Sequence, residues 1–181
     1  MLIEFTINSV PVAEPRKRTR VISDGNGQVR GVQHYTSAKH PVSQWRYDLR
    51  HKAVEVMEKL GYAPLAGIPL VLEVRFYLPR PKWADETRGR GKNKRPKWGV
   101  GPLLCWKKPD LDNLLKSTKD SLNGVCYHDD SQIVGYGRKT RKYYHEAGGY
   151  SRCEISIWTV SPFGDDLSDL EPEADLGVRV L

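Results

Sequence analysis

Lys108-Pro109-Asp110-Leu111-Asp112-Asn113-Leu114-Leu115-Lys116 is the stretch on which the reading of this chain turns. Proline biases the residue before it toward extended backbone and cannot sit inside a helix. Asp110 is therefore placed as an N-cap, with a helix starting at about Leu111. Leu111, Leu114, Leu115 and Leu122 follow helical spacing and form one buried stripe. Asn123-Gly124 ends the helix, since glycine takes the left-handed conformation found at helix C-termini. Asp110 and Asp112 lie two apart, a spacing that points side chains the same way where the chain is still extended. Lys116 stands one turn beyond Asp112 on the same face. The stretch thus sets two carboxylates and one ammonium at the exposed lip of a helix N-terminus.

A second carboxylate pair, Asp129-Asp130, follows the helix and precedes a strand beginning near Ile133. Two carboxylates about 4 Å apart repel by about 4 kcal/mol at an effective dielectric of 20. A fold that gathers three of them needs a proton or a cation between them, and oxygen-only ligands suit Mg²⁺ or Mn²⁺. Each acid also has a plain structural reading, because aspartate after proline caps helices and Asp-Asp makes turns. One cap, however, needs only one carboxylate.

The 181 residues carry a formal net charge of +7. Residues 162–181 hold six acids against Arg179 alone, a net of −5, so the remainder carries +12. A body that basic fits a polyanionic partner, most simply nucleic acid. Cys105, Cys126 and Cys153 are odd in number and lack a C-x-x-C pair, against a disulfide framework or a cysteine-rich zinc site. The five histidines show no ligand spacing. Nothing reads as a signal peptide or membrane span, so the expected compartment is a reducing cytoplasm.

Taken in order, Leu2 to Val10 alternates as an opening strand, and Arg16, Lys17, Arg18 and Arg20 introduce a basic loop or hairpin that turns at Asp24-Gly25-Asn26-Gly27. Ser43 to Leu60 fits a helix with Trp45, Leu49, Ala53, Val56, Met57 and Leu60 on one face and Gly61 beyond its end. Ile68 to Leu78 reads as a strand with Glu73, Arg75 and Tyr77 facing outward. Residues 80–108 then form a long basic insertion without periodicity. Its Arg88, Arg90, Lys92, Lys94, Arg95, Lys97, Lys107 and Lys108 interleave with Trp83, Trp98 and Trp106, a mixture suited to phosphate contact with base stacking, or to plain local packing of the tryptophans. Ile133 to Tyr144 is read as one strand, weakened by Gly135 and Gly137 and carrying Arg138 and Lys139. A last strand around Cys153 to Thr159 follows Gly148-Gly149 as a hairpin. The expectation is an α/β fold, a small mixed sheet with two main helices over residues 1–161, with the basic insertion and an acidic tail at 162–181. That tail reads as a solvated extension, or as a DNA mimic shielding the basic surface.

Three acids converging on a basic body favour metal-dependent phosphodiester cleavage, with Lys116 orienting phosphate or water or acting as a fixed cation. Lys-Pro-Asp110-Leu-Asp112-Asn-Leu-Leu-Lys116, Asp120-Ser-Leu-Asn-Gly and Asp129-Asp130-Ser-Gln-Ile-Val together resemble the RusA family of Holliday-junction resolvases. The match runs through about 108–134, with the preceding elements in the right order. The resemblance implies a small homodimeric α/β endonuclease of bacteria or their prophages that nicks four-way DNA junctions symmetrically. It implies that Asp110, Asp112 and Asp130 are metal-binding catalytic acids and Lys116 the catalytic lysine, with Asp129 and Asn113 in supporting roles. The insertion and the tail look additional to such a compact fold, which leaves flap or other branched DNA open as substrate. Two rivals stand beside it. One is a restriction-like nuclease opened by Pro109-Asp110, although Asp129, Asp130 and Glu146 each lack Lys two positions on. The other is a non-catalytic DNA- or RNA-binding module in which the acids are caps and turns.

Overall fold

The computed structural model describes residues 1–37, 39–88 and 91–163. Arg90 and the acidic segment 164–181 lie outside the described residues. Strands β1 (Leu2–Ile7), β2 (Arg18–Ser23) and β3 (Val29–Tyr35) precede helix α1 (Val42–Leu60) and strand β4 (Leu70–Leu78). Three two-residue strands follow within the insertion: β5 (Thr87–Arg88), β6 (Arg95–Pro96) and β7 (Leu103–Leu104). Helix α2 (Leu111–Leu122) leads to β8 (Ile133–Tyr136), β9 (Arg141–Tyr144) and β10 (Arg152–Thr159).

The main sheet runs β1-β10-β4-β9-β7, with β8 also paired to β4. It is mixed because β8 and β9 run parallel to β4 while β10 is antiparallel to it. Its core face presents Ile3, Phe5 and Ile7, Leu70, Leu72, Val74 and Phe76, and Cys153, Ile155 and Ile157. Both helices close over that face. Trp45, Leu49, Ala53, Val56 and Met57 come from α1, and Leu114, Leu115 and Leu122 from α2. Leu114 is fully buried, so truncation to alanine would cost about 2–5 kcal/mol. Gly61 at φ 66° ends α1, and Gly124 at φ 72° lies just past α2, both where glycine is favoured. Arg46 on α1 ties the helices together by donating to Asp120 at 2.8 Å and to Glu14.

Several expectations need correcting. The second long strand starts at Leu70, leaving Ile68 outside it. Glu73 and Tyr77 are buried, each 7% exposed, because chain packs on both faces of the central strand. The span 133–144 is two strands, and residues 137–140 loop over Glu73, whose carboxylate accepts the Lys139 N–H at 3.1 Å. The turn at Gly148-Gly149 does not make a hairpin, since β10 inserts between β1 and β4 instead of pairing with β9. Residues 80–108 are not structureless either. Arg80, with a side chain 2% exposed, donates to Asp85 and to the carbonyls of Ala84, Gly99, Gly101 and His145 at 2.7–3.2 Å. A small second core of Leu78, Cys105 and Tyr144 packs against Trp83 and Leu103.

Candidate active site

The N-terminus of α2 is fixed from two directions. Val12 to Glu14 runs along the helix, with the Glu14 N–H donating to the Asn113 carbonyl at 2.8 Å and the Ser117 hydroxyl to the Val12 carbonyl at 2.7 Å. On the other flank the Lys142 ammonium, from β9, donates to the carbonyls of Lys107 and Pro109, both at 2.6 Å. Those carbonyls belong to the residues leading into Asp110. Nothing local in the sequence separates Lys142 from the neighbouring surface cations, so its clamp was not legible there.

Asp110 occupies the N-cap with extended backbone, φ −72° and ψ 142°, yet its carboxylate makes no capping hydrogen bond. Its carbonyl alone starts the helix, accepting from the Leu114 N–H at 3.2 Å. Asp110, Asp112 and Lys116 are exposed, and among the described residues none of their side chains has a hydrogen-bond or ion-pair partner. An exposed cap that leaves its carboxylate unused forgoes about 1 kcal/mol of helix stability. Together with Asp112 it puts two anions at the positive end of a helix dipole, where negative charge is favoured.

Asp129 and Asp130 have different duties. Asp129 caps a short 3₁₀ turn over Asp130–Gln132, accepting the Ser131 N–H at 2.9 Å while Gln132 reaches back to the Asp129 N–H. Ser131, through its hydroxyl and its backbone N–H, holds the Asp129 carboxyl below the ordinary carboxylate range. The Asp-x-x-Gln spacing is a capping-box signal that the sequence carries. The turn is brought back beside α2 by Tyr127, which is buried and donates its hydroxyl to the Lys119 carbonyl at 3.0 Å. Asp130 consequently lies 3.5 Å from the Lys119 ammonium.

Asp112, Lys116 and Lys119 are spaced i, i+4, i+7 and share one helix face. From Asp112 to Lys119 the helix rises about 10 Å. Asp130 thus meets this stripe at Lys119, about two helical turns beyond Asp112. Among the described residues, no three His, Cys, Asp or Glu side chains form a group that could hold a metal ion. Two unengaged carboxylates with oxygen donors only fit a hard divalent cation at the α2 N-terminus. A third ligand from Asp130 requires that side chain to leave Lys119.

The cations singled out in the sequence are exposed where described. Arg16, Lys17, Arg18 and Arg20 lead into and along β2, directly after the segment that lines α2. Lys107 and Lys108 precede Asp110, and Arg88, Lys92, Lys94, Arg95 and Lys97 belong to the insertion. Arg138 and Lys139 sit on the loop between β8 and β9. Two basic segments therefore flank the exposed acids. No helix among the described residues is long and apolar enough to cross a membrane.

Comparison with known proteins places the chain beside the following. The profile of the family described as "Endodeoxyribonuclease RusA" covers residues 9–157. A protein of Bacillus subtilis (strain 168), "Uncharacterized protein YqaN", is 32% identical over 159 residues, spanning 88% of this chain and 97% of that one.

Proposed function

The chain belongs to the RusA endodeoxyribonuclease family, and from that premise we propose that it resolves four-way DNA junctions by paired, metal-dependent nicks. The observation that carries the reading is the pair of exposed, uncommitted carboxylates at the α2 N-terminus, with Asp110 in a cap position whose capping bond it does not make. A cap selected for stability alone would use that oxygen.

In this reading Asp110, Asp112 and Asp130 hold a divalent ion, Mg²⁺ or Mn²⁺. When bound, such an ion supplies a water of lowered pKa and offsets charge on the scissile phosphate. Lys116, one turn from Asp112, provides a fixed cation for the phosphate as negative charge develops. Asp129 keeps the Asp130 turn in shape, and Asn113 anchors the chain that delivers Arg16 and Lys17 to the site's edge. The exposed arginines and lysines at 16–20, 88, 92–97, 107–108 and 138–139 neutralise DNA phosphates, giving affinity that falls steeply with salt. A homodimer with twofold symmetry would offer two equivalent sites to a twofold junction. The proposed compartment is the cytoplasm of a bacterial or phage-infected cell.

The ion pair between Asp130 and Lys119 favours a second reading, a DNA-binding module without catalysis. Synthetic four-way junction, flap and linear duplex, each with Mg²⁺ or a chelator, separate the two. Paired nicks on the junction that need metal, abolished in Asp112→Asn while binding persists, support the resolvase. Binding to all three without cleavage supports the module, and sequence-defined cutting of linear duplex a restriction-like enzyme.

A further inference from the structure

Trp83, Trp98 and Trp106 come from three places in the insertion and meet in one cluster. Trp83 is its centre, with ring centroids 5.7 Å from Trp98, 5.3 Å from Trp106 and 5.8 Å from Tyr144. Tyr144 is buried in the small second core, which anchors Trp83 from beneath. Arg80 holds the surrounding loop in shape, because its buried guanidinium satisfies four backbone carbonyls that no strand or helix pairs. The cluster is therefore a built platform. Its upper rings are left open: Trp98 is 45% exposed and Trp106 63% exposed.

Two indoles displayed on a rigid base, when packing could have buried them, call for an occupant. Charge decides which. Lys97, which also pairs with Glu86 at 3.6 Å, stands 5.5 Å from the Trp98 ring and Lys107 5.9 Å from the Trp83 ring, so ammonium groups border the aromatic surface. A second apolar protein surface would have to bury those charges, whereas a nucleic-acid strand pairs its phosphates with them and lays its bases on the indoles. Bases inside continuous duplex present no free face, so the occupant is a base freed from its stack, either unpaired or opened where the arms of a branched DNA part.

We propose that Trp98 and Trp106 form a stacking platform for unpaired or unstacked nucleotides at the branch of the DNA substrate, held beside the active site. Trp106 is four residues before Asp110, and Lys142 clamps the segment between them. The platform selects DNA with unpaired or unstacked nucleotides next to the cut over continuous duplex. It deepens the proposed nuclease reading but does not depend on cleavage, because it is measured as binding without metal.

The test uses the full chain, a chelator and fluorescence anisotropy. One duplex carries a short unpaired oligothymidine tail; a second carries an abasic tail of the same length and phosphate charge. The wild type is expected to bind the thymidine tail about five- to a hundredfold more tightly. Trp98→Ala and Trp106→Ala erase that preference while leaving blunt-duplex affinity unchanged, and Trp106→Phe retains most of it. Circular dichroism melts confirm that each variant is folded. Equal affinity of the wild type for the two tails overturns the proposal. So does a preference that survives in the alanine variants, or a change in oligomeric state there without loss of the preference, which would make the platform a protein interface.

Discussion

Lys142→Met removes the clamp on the chain that enters the candidate active site. The lysine makes two charge-assisted hydrogen bonds at 2.6 Å, to the carbonyls of Lys107 and Pro109. Bonds of this kind contribute about 1.5–3 kcal/mol each when their partners cannot be rehydrated. The Lys107 carbonyl is exposed enough for water to replace the ammonium, so the loss comes mainly from the Pro109 bond, about 1.5–3 kcal/mol in all. For a domain of this size that lowers the melting temperature by roughly 3–12 °C. The catalytic consequence is larger than the loss of stability, since displacing a reacting group by about 1 Å can cost a hundredfold in rate. The assay is single-turnover nicking of a four-way junction with Mg²⁺, run beside junction binding in chelator. Cleavage should fall at least about tenfold while binding persists. A variant that melts lower but cuts at the wild-type rate would refute the reasoning, because the carboxylates at Asp110 and Asp112 would then not depend on the clamp.

Gly137→Ala should destabilise by about 1–3 kcal/mol, because its Cβ would lie 2.6–2.7 Å from buried atoms of Glu73 and Trp158 that have little room to yield; chemical denaturation measures it. Cys126 is pushed up to about 12 by burial, and the wholly buried Cys153 thiol is also raised well above its ordinary value. The unfolded chain therefore loses these thiol protons first, and stability holds below about pH 8.5 and declines above it, by up to about 1.4 kcal/mol per pH unit for each thiol. Cys126→Ala should show a shallower alkaline decline than the wild type, and a slope equal to wild type would contradict the assignment.

How far the chain could be read from its sequence depended on whether each signal was local. Helix α2 was legible because its start, its stripe of leucines and its stop all lie within a few residues of one another. The sheet's order was not, since whether β10 pairs with β9 or slides between β1 and β4 depends on contacts across the chain. The interruption after Tyr136 follows from Glu73, more than sixty residues earlier, which accepts the Lys139 N–H on the sheet face away from the helices. Arg80 and Lys142 looked like two more cations in a basic surface, and only the folded chain shows which carbonyls they hold. The motif pointed to Asp110, Asp112 and Asp130 as one set, whereas the folded chain leaves the first two unengaged, makes Asp129 a turn cap and puts Asp130 beside Lys119. The Asp-x-x-Gln spacing was the one sequence clue to it.

In the proposed mechanism Asp110, Asp112 and Asp130 serve one divalent ion, with Asp130 exchanging Lys119 for that ion. Mn²⁺ binding, followed by electron paramagnetic resonance on the wild type and on Asp110→Asn, Asp112→Asn and Asp130→Asn in complex with a four-way junction, tests it without relying on cleavage. The expected result is a protein-dependent Mn²⁺ signal that each of the three substitutions weakens at least about tenfold. Undiminished Mn²⁺ binding by Asp130→Asn would contradict it.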